Sequence, residues 1–196
     1  MNVIFWDTET NGLQKQHSVL SISAIKADIE INENKINSQI TDRYERFYFR
    51  KPNEKIGIEA INVNGLTDDV IKIERNNANY PEYFYNDINS FHLFCSDTKH
   101  FVGHNISFDK KYINFGLKHI FCTMKTNTYI IKLKNANGKI KFPSLNETAH
   151  FYEIETNKNE LHNSMYDSYI AYQIFCKMLE NKNSKGKVMS FLTKSK

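Results

Sequence analysis

Val3-Ile4-Phe5-Trp6-Asp7-Thr8-Glu9-Thr10-Asn11-Gly12-Leu13 runs from an apolar strand straight into two carboxylates and then a glycine turn. Side chains alternate between the faces of a strand, so Asp7 and Glu9 share one face. Two anionic groups side by side repel each other and resist loss of water, and a buried strand excludes them unless a cation sits between them. For an Asp-x-Glu pair taken alone, the competing reading is a solvated strand end. The rest of the chain decides between the two.

His104-Asn105-Ile106-Ser107-Phe108-Asp109 follows a second apolar run, Phe101-Val102-Gly103, and so places Asp109 in the first turn of a helix at the end of a strand. By itself such a carboxylate does no more than favour the helix dipole, by about 0.3–1 kcal/mol. His162-Asn163-Ser164-Met165-Tyr166-Asp167 opens a helical pattern that continues through Tyr169, Ile170, Ile174, Phe175, Met178 and Leu179. A five-residue step turns a helix by about 140° beyond one full turn. His162 therefore belongs to the loop or cap before the helix, and Asp167 points from its first turns into the same cleft.

The ordered set Asp-Thr-Glu-Thr-x-Gly-Leu, His-Asn-x-x-Phe-Asp and His-x-x-x-x-Asp resembles the DEDDh 3′-to-5′ exonucleases of the RNase H-like superfamily. That family includes bacterial proofreading subunits, RNase T and TREX-type enzymes. Between the motifs, Glu59-Ala60-Ile61-Asn62-Val63-Asn64-Gly65-Leu66-Thr67 is similar to the family's substrate-binding segment, and the resemblance extends over residues 2–180. Asn64 stands where many relatives carry His, and Ser164 where the last motif usually has Ala; both departures bear on substrate preference rather than on ligands.

The resemblance implies that Asp7, Glu9, Asp109 and Asp167 hold two divalent ions, and such hard oxygen ligands suit Mg²⁺ or Mn²⁺. In that scheme Asp7 bridges both ions, Glu9 and Asp167 complete the site of the attacking water, and Asp109 holds the second ion. A metal pair activates the water, neutralises the phosphate and stabilises the departing oxygen. His162, with a reference pKa of about 6.5, is the implied general base. The backbone N–H groups of Thr8 and Thr10 and the Asn105 amide are candidates for binding the terminal 3′-hydroxyl or phosphate. Leu13, Ile61 or Val63, and Phe108 are candidates for splaying the last bases, with Asn64 in the same segment; core packing is the alternative for each apolar one.

The activity so implied is a metal-dependent 3′-to-5′ exonuclease releasing nucleoside 5′-monophosphates from single-stranded ends, DNA ahead of RNA because Asp-Thr-Glu-Thr resembles the proofreading branch. RNA trimming of the RNase T kind is the second reading, since a 2′-hydroxyl contact is all that separates the substrates. A nucleic-acid-binding accessory protein with a spent site is the third. It requires a lost ligand, and all are present.

A chain of 196 residues is long enough for one well-buried domain and short for two. Its net charge of +4 is compatible with a polyanionic partner. Cys95, Cys122 and Cys176 lie in apolar runs with no paired spacing, which predicts small buried hydrophobes and neither a disulfide set nor a zinc site. No apolar run approaches the roughly 18–20 residues of a membrane span, and Asp7 comes too early for a signal peptide. A cytoplasmic protein without membrane contact is the expectation.

Runs over 2–6, 18–29 and 35–49, the latter two separated by Ile31-Asn32-Glu33-Asn34, predict three antiparallel strands. A helix from Pro81 with Phe84, Ile88, Phe91 and Cys95 on one face then leads to a strand at 101–103 that returns beside the first. Short elements follow: a helix over 109–117, a strand over 120–123 and a helix capped by Ser144 with Glu147 completing a capping box. The long helix over 163–180 comes last. The fold class is α/β, a single domain with a mixed five-stranded sheet flanked by helices, over residues 1–180. Residues 181–196 read as a basic, flexible tail, or less readily as a phosphate-tracking arm. Ile131–Phe142 alternates apolar residues with Lys132, Lys134, Lys139 and Lys141 around Asn137-Gly138. That pattern predicts a hairpin with a lysine face, either a solubilising surface or a basic rim for single strands.

Overall fold

In the computed structural model, which describes residues 1–32 and 35–194, β1 (Asn2–Thr10) lies in the middle of a five-stranded sheet. It pairs antiparallel with β2 (Val19–Asn32), which in turn pairs antiparallel with β3 (Lys35–Phe47). Glu33 and Asn34 of the expected turn lie outside the described residues. On its other side β1 runs parallel to β4 (His100–Gly103), beside β5 (His119–Cys122), giving the order β3-β2-β1-β4-β5. The mixed sheet and the central place of the first strand agree with the sequence. Residues 3–6 are apolar without interruption because both faces of a central strand are covered.

The helices supply those covers. α1 (Ile58–Asn64) and α2 (Asp68–Glu74) follow the meander, and α3 (Phe84–Cys95) makes the crossover to β4. Ile4 and Trp6 pack with Phe91 and Cys95 on the α3 face. α4 (Ile106–Asp109) and a 3₁₀ turn at Lys110–Tyr112 replace the longer helix expected over 109–117, because Ile113 returns to extended backbone (φ −98°, ψ 152°). α5 (Thr123–Ile131), absent from the sequence reading, and α6 (Leu145–Phe151) lead to α7 (Ser164–Glu180). On the α7 face, Val3 and Phe5 meet Ile170, Ile174, Phe175 and Met178. Both hydrogen bonds of the Ser144–Glu147 capping box are present at the start of α6.

Three expectations need correction. Residues 181–196 are no free tail: α8 (Lys185–Leu192) buries Val188, Phe191 and Leu192 against Phe121 and Phe175. Ser195 and Lys196 lie outside the described residues. The lysine hairpin shrinks to a single bridge, Lys134 with Ile140, around a turn at 135–138. Lys132 caps α5 in the left-handed region and Lys141 pairs with Glu147, so the four lysines are not one free face. Of the cysteines, all free, only Cys95 is buried; Cys122 and Cys176 are half-buried. Among the described residues no helix is long and apolar enough to cross a membrane.

Candidate active site

β1 carries Asp7 and Glu9 to one end of the sheet, where they meet residues delivered by α4 and α7. Asp109 is 2% exposed, and its Oδ1 accepts hydrogen bonds from the Thr8 N–H (3.1 Å) and the Thr8 hydroxyl (2.8 Å). The chain reaches α4 through Asn105 in the left-handed region (φ 72°), a conformation that Asn tolerates better than most residues. The start of α7 is fixed twice. The Asn163 side chain accepts from the N–H groups of Met165 and Tyr166 (3.0 and 3.1 Å). Ser164 Oγ lies 2.9 and 2.7 Å from the hydroxyls of Ser21 and Ser23 on β2. Ser164 is thus a buried tie between helix and sheet, a local hydrogen-bonding reason for the departure from Ala.

His162 precedes α7 as expected, with φ 67°, and its N–H donates to Asp167 Oδ2 at 3.3 Å. One ring nitrogen of His162 and one carboxylate oxygen each of Glu9 and Asp167 all lie within 4.8 Å of one another. All five groups line one cleft of about 960 Å³.

The carboxylates share a common field. Burial, then the charges of Asp109, Glu9 and Asp167, holds the Asp7 carboxyl well above its ordinary range. Glu9 is pushed up by burial and by Asp167, with a hydrogen bond from Asn64 opposing. Burial raises Asp109 to about 7 against the Thr8 bonds, and raises Asp167 to about 7 with Asp109 adding to it. Asp167 Oδ1 is buried and has no hydrogen-bond partner among the described residues. The residues lining the cleft include no Lys or Arg to balance these charges. A buried acceptor without a donor and mutually repelling carboxylates fit a bound cation, and an all-oxygen donor set suits a hard divalent metal.

Most of the remaining sequence candidates line the same cleft: Thr8, Thr10, Leu13, Val63, Asn64, Asn105 and Phe108. Leu13 and Val63 are 78% and 55% exposed there, so neither is explained by core packing. Two assignments change. Ile61 does not line the cleft, because the face of α1 turned toward it carries Ile58, Val63 and Asn64. The Thr8 N–H is already bonded to Asp109 and is not free for a 3′-hydroxyl.

Sequence reasoning also missed the clamp that holds α1. Asn11 Nδ2 donates to Glu54 Oε1 and to the Lys55 carbonyl (2.8 Å each), and Asn11 Oδ1 accepts from the Gly57 N–H (2.8 Å). A Cβ at position 57 would fall 1.9 Å from the Asn11 carbonyl oxygen, so only glycine lets the two segments approach. Asn11 stands directly before the glycine of the turn after β1, but nothing in the sequence marks Glu54 as its partner. His104 is a second clamp. Its ring meets the Thr123 hydroxyl (2.9 Å) and the Pro143 carbonyl (3.0 Å), and burial holds its pKa down at about 4.

Comparison with known proteins agrees with this geometry. The RNase T family model, described as "Exonuclease", matches residues 4–175. The chain is 27% identical over 191 residues to DNA polymerase III PolC-type of Staphylococcus aureus (strain bovine RF122 / ET3-1), a match covering 93% of this chain but 12% of that relative's length. Exonuclease X in complex with 5′ overhanging duplex DNA superposes with a TM-score of 0.61 at 18% identity, over 95% of this chain and 98% of that one. The nuclease domain of 3′hExo, a DEDDh family member bound to rAMP, gives 0.65 at 12% identity, over 93% and 94%. At such identities the two structures speak for the fold. Family match, fold and the ordered acids lead to one conclusion: the chain belongs to the RNase T exonuclease family and is a DEDDh-type 3′-to-5′ exonuclease, a family that works with divalent metal ions.

Proposed function

We propose that this chain hydrolyses single-stranded DNA from the 3′ end, releasing nucleoside 5′-monophosphates, with two Mg²⁺ or Mn²⁺ ions and His162 as general base. The observation that carries the reading is the convergence of Asp7, Glu9, Asp109, Asp167 and His162 on one cleft with no cationic side chain in its lining. Asp7, Glu9, Asp109 and Asp167 are the residues that would hold the ions. When bound, the ions neutralise the phosphate oxygens and make water a usable nucleophile at neutral pH. His162 is exposed at the cleft, with an imidazole free to take the proton of the attacking water. Its backbone bond to Asp167 keeps the loop in register with the acids. Leu13, Val63, Ile58 and Phe108 offer apolar surface on which the last bases separate.

Two things support DNA over RNA: the Asp-Thr-Glu-Thr motif, and the relative whose name is that of a DNA polymerase. RNA trimming remains the second reading, favoured by the solved relative bound to rAMP. Digestion of end-labelled DNA and RNA oligonucleotides, single- and double-stranded, with Mg²⁺, Mn²⁺ or EDTA decides between them. Single-stranded DNA should be shortened from its 3′ end with either metal and left intact in EDTA. Faster shortening of RNA would overturn the DNA assignment.

A further inference from the structure

Behind the loop that forms one wall of the cleft lies a second groove, of about 230 Å³, lined by Lys15, Lys51, Lys111, Tyr83, Tyr85 and His17 among others. His17 lines the cleft as well, so the two sites sit back to back on residues 11–18. The groove's lining contains three lysines and no carboxylate. Lys51 Nζ donates to the Gln16 carbonyl (2.9 Å) and Lys111 Nζ to the Leu13 carbonyl (3.1 Å), while neither they nor Lys15 pair with an acid among the described residues. An ammonium has three donors. Each of these two therefore retains hydrogen-bonding capacity and has no carboxylate within ion-pair distance among the described residues, Lys111 also lying over the Phe108 ring, 4.2 Å from its centroid.

Next to these cations the rings of Tyr83 and Tyr85 stack in parallel, 5.5 Å apart and 6° from coplanar, and Tyr85 is 51% exposed. A flat aromatic face beside lysines with no carboxylate in the lining offers a stacking surface for a base and donors for a phosphate. We infer that this groove is a second nucleotide site, with Lys15, Lys51 and Lys111 holding a phosphate and Tyr85 stacking the adjoining base. Its volume is below the roughly 300–1,000 Å³ of pockets that engulf a whole small ligand. The phosphate and sugar therefore occupy the groove while the base lies on the outer face of Tyr85. The ligand's chemistry is that of one nucleotide unit, either part of the nucleic acid whose 3′ end is in the cleft or a free mononucleotide. The inference rests on the nucleic-acid substrate proposed above.

The test is binding in EDTA, where nothing is cleaved, by the full chain and by the double variant Lys15→Glu with Tyr85→Ala. Both positions are exposed and neither side chain touches the cleft. Against a labelled oligothymidylate of about a dozen nucleotides, the double variant should bind about tenfold more weakly. It should cleave a dinucleotide in Mg²⁺ at the parent rate, and Lys15→Glu with Y85F should regain the part due to stacking. A loss confined to duplexes would assign the groove to the second strand. Loss of one of two adenosine 5′-monophosphate sites by calorimetry, with oligonucleotides unaffected, would assign it to the free nucleotide. Photocrosslinking of a bromouridine-substituted strand to Tyr85 in the parent protein reads the same contact without a variant. Unchanged binding of all three probes, the oligothymidylate, the duplex and adenosine 5′-monophosphate, overturns the inference, and absence of the crosslink overturns its strand-binding form. Failure of the parent to hydrolyse single-stranded DNA would instead count against the substrate proposed above, since the binding readout does not depend on hydrolysis.

Discussion

His162 is held at φ 67°, a region costing an L-residue other than glycine roughly 1–2 kcal/mol. Two substitutions therefore separate what the position does for the fold from what it does for the reaction. His162→Ala and His162→Gly should both lower turnover by about 10²–10⁴, while the glycine variant should be the more stable of the two by about 1 kcal/mol in chemical denaturation. Equal stabilities would mean the loop relaxes without help, and loss of Mg²⁺ binding in calorimetry would make the imidazole a ligand. Asp7 is the complementary case, its carboxyl raised by burial and by three neighbouring acids. Asp7→Asn should abolish most hydrolysis while the metal-free melting temperature holds or rises. Near-native cleavage by that variant would remove Asp7 from the metal assignment.

Among the elements, α6 and α8 mark the two extremes of what could be read in advance. Ser144 and Glu147 form a local signal, each satisfying the other's backbone, and the box is complete in the structure. Ser144→Ala should cost about 1 kcal/mol, a shift that thermal melts resolve; no shift would mean the helix is held by packing alone. α8 escaped because five lysines between 182 and 196 concealed the spacing of Val188, Phe191 and Leu192, the three side chains it buries. At about 1.5–3 kcal/mol each, those side chains contribute an amount comparable to the whole stability of a domain, about 5–15 kcal/mol. Truncation after Asn181 should therefore abolish cooperative unfolding in calorimetry, and a truncated chain melting like the parent would restore the free tail.

α5 was hidden for a different reason. Its buried face is polar: Asn127 Nδ2 donates to the Thr123 carbonyl, Thr128 Oγ1 to the Met124 carbonyl, and the Tyr152 hydroxyl to Asn127 Oδ1. No apolar period reports a helix whose buried residues, Thr123, Asn127 and Thr128, are all polar. The cleft acids were legible because the chemistry proposed for them is tied to motif and order, whereas the Asn11–Glu54–Gly57 clamp spans more than 40 residues without a motif.

For the molecule as a whole, the shared field of the acids sets a pH dependence whose sign follows from proton counting. Asp109 and Asp167 titrate near 7 in the folded protein and near about 4 when unfolded. The folded state binds more protons, so stability falls as pH rises through this range. His104 acts the other way below about pH 6.5, because its folded pKa is held down at about 4 and protonation favours the unfolded chain. Above that pH His104 is neutral in both states and the carboxylates decide. The metal-free protein should therefore lose melting temperature between about pH 6.5 and 8, and Mg²⁺ should flatten the profile by taking the place of the protons. A flat profile in EDTA would mean the acids feel one another less than their burial implies.

The placement of the acids along the chain sets the timing of activity during synthesis. Asp7 and Glu9 leave the ribosome before Asp109, and His162 and Asp167 arrive only with α7, which must then dock on β1 and β2. A growing chain is thus a nuclease in sequence long before it is one in chemistry. Its proposed hydrolytic centre closes only once α7 has been made and docked, and a chain stopped before Asp167 carries acids without the complete cleft.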